Sequence, residues 1–90
     1  MEEHFILGIH SRNRIAQSAS VQKLLTEYGC NIRTRIGLHE VQDGVCAMDG
    51  VILLEMFGDR KICEELFAKL GMIEEIEVKK MIFSHEKKCA

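Results

Sequence analysis

Hydrophobic positions along the chain change period in a fixed order, and that order occurs twice. An apolar run, a helical stripe closed by glycine and a second extended run appear over 4–39 and again over about 48–83. The first run, about His4 to His10, holds Phe5, Ile6, Leu7 and Ile9 and predicts a strand. Val21, Leu24, Leu25 and Tyr28 then fall at i, i+3, i+4 and i+7, with Ile15 extending the stripe backwards, so one helical face is committed to a core. Ser11 or Asn13 can cap the start of this helix by accepting a hydrogen bond from a free backbone N–H of the first turn. Gly29 is expected to end it, in the left-handed conformation that glycine adopts without strain.

The second strand, about Asn31 to Glu40, alternates. Ile32, Thr34, Ile36 and Leu38 are expected on one side and Arg33, Arg35, Gly37 and His39 on the other, as in an edge strand with one wet face. Residues 41–47, with Gln42, Asp43 and Gly44, read as the loop between the halves. The third strand, about Met48 to Phe57, carries the unbroken run Val51 to Leu54 and is expected at the centre of a sheet. A second helix, about Asp59 to Leu70, is capped by Asp59 and buries Ile62, Cys63, Leu66, Phe67 and Leu70. Arg60 with Glu64, Lys61 with Glu65 and Glu65 with Lys69 stand four apart on its outer surface, each pair adding about 0.2–0.5 kcal/mol. Gly71 is expected to terminate it, and a fourth strand follows over about Ile73 to Phe83.

A strand, a helix and a second strand in this order need a right-handed crossover, and two such units make an α+β ferredoxin-like βαββαβ sandwich. The expectation is a four-stranded antiparallel sheet with two helices on one face, in a single domain over 1–90 whose core spans about 4–83, with 84–90 a solvated tail. Two helices cover only one face. Yet the central strands are apolar on both sides, Ile6 against Leu7 and Val51 and Leu53 against Ile52 and Leu54. The chain is therefore expected to form a homodimer or higher oligomer through the helix-free face, which Ile6, Gly8, Arg33, Arg35, Gly37, Val51 and Leu53 would line. The alternative is that Met81, Phe83 and the stems of Arg33 and Arg35 cover that face within one chain.

Composition narrows the function classes. With 47% hydrophobic residues, 29% charged and no proline, the 90 residues are those of a compact protein rather than a linker. A net charge of −2 with both signs interspersed supplies no field for nucleic acid, so no direct nucleic-acid binding is expected. No basic segment followed by a long apolar run opens the chain, and Val51 to Leu54 is far too short to cross a bilayer, so a cytoplasmic protein without membrane contact is expected. In that compartment Cys30, Cys46, Cys63 and Cys89 would be free thiols, and no C-x-x-C spacing supports a zinc knuckle or a redox pair. Cys63, on the buried stripe, reads as inert packing, and Phe5, Phe57 and Phe83 as core.

Three groups of residues invite a chemical role. In the turn Ser11-Arg12-Asn13-Arg14 the two arginines oppose the helix macrodipole by about 0.3–1 kcal/mol each, and positions that break a local rule are often functional. Backbone N–H groups and guanidinium forks there suit a carboxylate or phosphate, the alternative being solvated surface. Arg33, Arg35 and His39 share a strand face and could line an interface or a pocket within it, or stand in water. His39 and Cys46 are soft metal ligands bracketing a loop and leave a metal-binding regulator as the weakest alternative, but two ligands fix no geometry, and neither a metal site nor a cofactor is expected. His10 beside Ser11 is adjacency without a third orienting group, and no enzyme is indicated.

The segments Asn31-Ile32-Arg33-Thr34-Arg35-Ile36-Gly37-Leu38, Gly50-Val51-Ile52-Leu53-Leu54-Glu55 and Leu70-Gly71-Met72-Ile73-Glu74-Glu75-Ile76-Glu77-Val78-Lys79 resemble the small regulator proteins of the iron-only hydrogenase system, a likeness spanning about residues 4–83. The resemblance implies a stand-alone ACT-like domain, related in architecture to the ligand-sensing part of nickel-responsive repressors. It also implies a non-enzymatic regulatory role near hydrogenase maturation, with a maturation enzyme or a transcription factor as partner. In ACT-type domains the turn matching Ser11 to Arg14 commonly meets the effector. The acylphosphatases, which share the fold, carry a glycine-flanked arginine cradle after the first strand, and Gly8-Ile9-His10-Ser11-Arg12 departs from it.

Overall fold

A computed structural model of the chain describes residues 3–12, 14–38, 41–42, 45–46 and 50–84, with the side chains of 14–18, 41–42 and 45–46 outside the description. The elements run β1 Glu3–Ser11, α1 Arg14–Glu27, a 3-10 turn Gly29–Asn31, β2 Ile32–Leu38, β3 Val41–Gln42, β4 Val45–Cys46, β5 Gly50–Met56, α2 Arg60–Gly71 and β6 Ile76–Ser84.

β2, β5, β1 and β6 form one sheet in that order, every neighbouring pair antiparallel. β1 and β2 are thus parallel with β5 between them, as are β5 and β6 with β1 between them, and the split crossovers carry α1 and α2. This is the ferredoxin-like βαββαβ arrangement, ACT-like in form, and it agrees with the order read from the sequence. β1 and β5 are central, and β2 and β6 are the edges.

Alternation in the central strands decides what is buried. Phe5, Leu7 and Ile9 of β1 and Leu54 and Met56 of β5 point to the helices and are almost fully enclosed by Val21 and Leu25 of α1, Tyr28 just after it, and Cys63, Leu66 and Leu70 of α2. Leu24, Ile62 and Phe67 pack against this cluster as partly buried neighbours, so both helical stripes face inward as expected. Ile15 lies outside the described side chains. A second tie joins the helices at the surface, where the Tyr28 hydroxyl donates to Glu65 Oε1 and Lys69 Nζ lies 5.1 Å from the Tyr28 ring centroid.

The turns differ from expectation in ways that the backbone explains. Gly29 and Gly71 do not terminate helices in the left-handed region: Gly29 opens the 3-10 turn and Gly71 is the last residue of α2, followed by Met72 in right-handed geometry. Positive φ falls instead on Gly58, at 104°, and on Glu75, at 62°. Gly58 follows β5, where Asn31 Nδ2 donates to the Phe57 carbonyl at 3.0 Å and the Phe57 N–H donates to the Asn31 carbonyl at 2.9 Å. Asp59 then caps α2 as expected, accepting from the Lys61 N–H at 2.9 Å. The turn that ends in Glu75 delays β6 to Ile76, and β6 runs one residue further than expected, through Ser84. Residues 85–90 of the expected tail lie outside the described residues.

The segment expected as a loop contains a small hairpin. Val41 pairs with Cys46 and Gln42 with Val45, in a sheet of their own. Asp43-Gly44 between them is the dipeptide that favours a two-residue hairpin turn, a cue in the sequence that a loop reading passes over.

Candidate functional site

Two regions of the fold can meet another molecule: the turn from β1 into α1, and the sheet face that the helices leave open.

Ser11 is the last residue of β1, opposite Gly50 of β5 and Ile76 of β6. Its place in the alternation turns it to the helix side, after Phe5, Leu7 and Ile9. It is only 8% exposed, and its Oγ is buried without a hydrogen-bond partner among the described residues. Such a hydroxyl costs about 1–3 kcal/mol relative to a satisfied one. Arg12 is exposed, and its backbone N–H donates to the Glu75 carbonyl at 3.2 Å, tying the turn before β6 to the turn after β1. Holding Glu75 at positive φ is strained for a residue with a side chain, and nothing in Met72-Ile73-Glu74-Glu75 signals it beforehand.

Arg14 begins α1, whose first turn holds no acidic residue and whose last turn holds no basic one. Among the described residues no side-chain charge in the first or last turn of α1 therefore compensates the macrodipole, whose positive end begins three residues after Ser11. The structure thus ties the end of β1 to the turn before β6, through the pairing of Ser11 with Ile76 and the Arg12 N–H to Glu75 carbonyl bond, with α1 beginning three residues after Ser11. Asn13 lies outside the described residues, as does the Arg14 side chain. A buried hydroxyl can donate to, and accept from, one small polar or anionic group.

The helix-free face is set by the pairing register. Rows across the sheet read Leu38, Val51, His10, Glu77, then Ile36, Leu53, Gly8, Lys79, then Thr34, Glu55, Ile6, Met81. Phe57 and Phe83 continue it at the end where β1 starts. Ile6, Gly8, Val51 and Leu53 stand on this face as expected. Arg35 and Gly37 do not: they oppose Leu54 and Ile52 and point to the helix side. The cause is an irregularity in β2, where Ile32 pairs with Met56 and Thr34 with the next residue, Glu55. Arg33 is the extra residue of a bulge, which shifts the alternation by one. Its guanidinium reaches Phe57, 5.3 Å from the ring centroid, and lies 4.0 Å from Glu55. Ile36 and Leu38 consequently join Leu53 on the open face. His39 lies outside the described residues, so the group Arg33, Arg35 and His39 is not assembled on this face.

Covering of this face within one chain fails among the described residues. Ile36, Leu38, Leu53, Phe57, Met81 and Phe83 retain between 37% and 53% of their surface exposed. Phe57 and Phe83 are therefore not core residues, whereas Phe5 is. On the helix side Lys80 crosses to α2 instead, its Nζ 2.7 Å from Glu64 Oε1 and 4.6 Å from the Phe67 ring centroid. This ion pair holds the Glu64 carboxyl below its ordinary pKa.

Other candidate chemistry is sparse. No group of three or more His, Cys, Asp or Glu that could hold a metal ion occurs among the described residues. Cys46 lies in β4 with its side chain outside the description. Cys63 is fully buried, and burial, with Asp59 and Glu64 adding to it, pushes its thiol pKa up, so it is a poor nucleophile. Among the described residues no helix is long and apolar enough to cross a membrane.

The fold is that of a small ACT-like domain. Among solved structures, the chain is similar to an uncharacterized protein of Thermotoga maritima, with 27% identity and a TM-score of 0.75, covering 90% of this chain and 98% of that one. It is also similar to formyltetrahydrofolate deformylases of Pseudomonas putida KT2440 and Pseudomonas syringae pv. tomato DC3000, at 14% and 15% identity with TM-scores of 0.52 and 0.55. Those matches cover 87% and 91% of this chain but only 28% of each deformylase, and at this identity they show the fold alone. No protein-family model matches the chain. No curated protein matches it either.

Proposed function

We propose that this chain is a non-enzymatic regulatory module that binds a small ligand at the β1–α1 turn and relays its presence to other protein surfaces. The observation that carries the reading is the Ser11 hydroxyl, buried without a partner among the described residues, three residues before α1 begins. A carboxylate or phosphate oxygen placed there would accept from that hydroxyl and from backbone N–H groups, with the exposed Arg12 and the helix dipole favouring its charge. The sequence resemblance to regulators of the iron-only hydrogenase system supports hydrogenase maturation as the setting.

Thermal unfolding across amino acids, nucleotides and metal ions tests it. A ligand that binds only the folded state stabilises it by about 2.7 kcal/mol at a hundredfold excess over Kd, so a saturable rise in Tm is expected. A flat response across all three classes overturns the sensor reading. It would favour the second one, an interaction module without a ligand that docks onto a maturation enzyme or a transcription factor. The exposed apolar residues of the helix-free face favour that alternative.

A further inference from the structure

On the helix-free face, apolar and charged side chains occupy opposite corners. Taking as upper the end where β1 and β2 finish, Leu38, Ile36 and Leu53 fill the upper corner at β2 and β5, and Ile6, Met81 and Phe83 fill the lower corner at β1 and β6. The other two corners carry mixed charge. At the upper end of β6, Lys79 Nζ lies 3.7 Å from Glu77 Oε2, and at the lower end of β2 and β5, Arg33 lies 4.0 Å from Glu55.

We propose that a second copy of this chain covers the helix-free face, related by a two-fold axis running diagonally across the sheet from the Leu38 corner to the Phe83 corner. This rests on the reading of that face as an association surface and names its occupant and orientation. About this axis Leu53 and Ile6, which lie beside it, meet their own counterparts, and each apolar corner meets itself. Glu77 comes within side-chain reach of Arg33 of the second copy, and Lys79 within reach of Glu55. With strands about 4.8 Å apart and residues about 3.4 Å apart along them, this axis lies about 35° from the strands, so the strands of the two sheets cross at about 70°, nearer the orthogonal than the aligned way of packing sheets.

The alternative axes fail on the same grid. An axis along the strands sets Leu38 and Ile36 against Glu77 and Lys79, and one across the strands sets Leu38 against Arg33. The other diagonal brings Glu55 onto Glu55 and Arg33 onto Arg33, like charges face to face. Size is adequate as well. Four strands at about 4.8 Å spacing and eight residues at about 3.4 Å rise give a flat area of roughly 500 Å², which side-chain relief raises towards the ~800 Å² per partner of a standard interface.

Sedimentation equilibrium of the full chain over 1–100 micromolar is the test, with circular dichroism confirming that each variant folds. The wild type is expected to have the mass of two chains, and Leu53→Asp that of one. Arg33→Glu and Glu77→Arg are each expected to weaken the dimer about tenfold or more, the equivalent of 1.4 kcal/mol or above. Combining the two in one chain restores opposite charges across the axis and should recover most of the affinity. A wild type with the mass of a single chain overturns self-association altogether and leaves the face to a different protein. A stable dimer that is indifferent to both charge reversals, or is not rescued by their combination, overturns the diagonal axis while leaving the association reading intact. A mass that grows past two chains with concentration also overturns the closed dimer.

Discussion

Replacing Ser11 by alanine should make the ligand-free protein more stable. The Oγ atom is buried without a partner, and a polar group in that state costs about 1–3 kcal/mol. Removing one oxygen forfeits little packing, so the net gain is about 0.5–2 kcal/mol. With an unfolding entropy of about 2.1 cal/mol/K per residue over 90 residues, each kcal/mol moves Tm by about 5 °C, and a rise of roughly 3–10 °C is expected. Urea unfolding at fixed protein concentration should show a higher midpoint with an unchanged slope, which separates a stability gain from a change in the unfolded state. Ser11→Thr, which keeps the hydroxyl, should not share the gain. If the hydroxyl is kept for binding, the alanine variant should also lose the ligand-induced rise in Tm. Greater intrinsic stability with a lost response is the signature of a residue held against the interests of the fold. A Ser11→Ala variant destabilised by about 1 kcal/mol or more would mean that the hydroxyl is bonded in the folded protein, and the argument for a site there would fail.

Four further outcomes follow from the structure. Gly58→Ala places a Cβ 2.4 Å from Asn31 Nδ2 at a φ of 104°, so it should cost about 2–4 kcal/mol in chemical denaturation, and adding Asn31→Ala should cost less than the sum of the single changes because the clash is then gone. Cys63 should resist alkylation in the native protein while the exposed Cys30 reacts, as peptide mass spectrometry can show. Because burial raises the Cys63 pKa above its ordinary 9.0, the unfolded chain ionises first, and stability should fall as pH rises past about 9, less so in Cys63→Ala after allowing for the cavity. Glu64 works in the opposite sense: Lys80 lowers its pKa below 4.5, so its contribution is present above that pH and is lost as pH falls through the folded value, a dependence that Lys80→Met should flatten.

Much of the fold was legible because its strongest signals are periodic. The stripe Val21, Leu24, Leu25 and Tyr28 and the stripe Ile62, Cys63, Leu66, Phe67 and Leu70 both turned out to face the sheet. The run Val51 to Leu54 did belong to a central strand, for a strand with apolar residues on both sides has no place at an edge. The misreading in β2 has one origin. Alternation reports which residues share a face only while every residue pairs, and the unpaired Arg33 carries no mark in Ile32-Arg33-Thr34 that would set it apart. Hence Arg35 and Gly37 were assigned to the wrong side. Helix ends were misplaced for a different reason, since glycine permits left-handed backbone without requiring it, and the residue that adopts it before β6 is Glu75. Of the β1–α1 turn, the sequence exposed the conflict of Arg12 and Arg14 with the helix dipole. The unsatisfied state of Ser11 depends on what lies over it, which only three-dimensional packing decides.

The bulge in β2 also bears on how the protein behaves when crowded. An edge strand offers a row of amides to another chain, and regular strand addition at both edges of a sheet would proceed without limit, as in a fibril. One such margin is bent by the surplus Arg33 and bristles with a second arginine two residues on, while the other alternates Glu77, Lys79 and Lys80. Neither makes a flat template. Growth by strand capture is thereby discouraged, and the chain can keep an apolar surface available for reversible contacts without seeding aggregates.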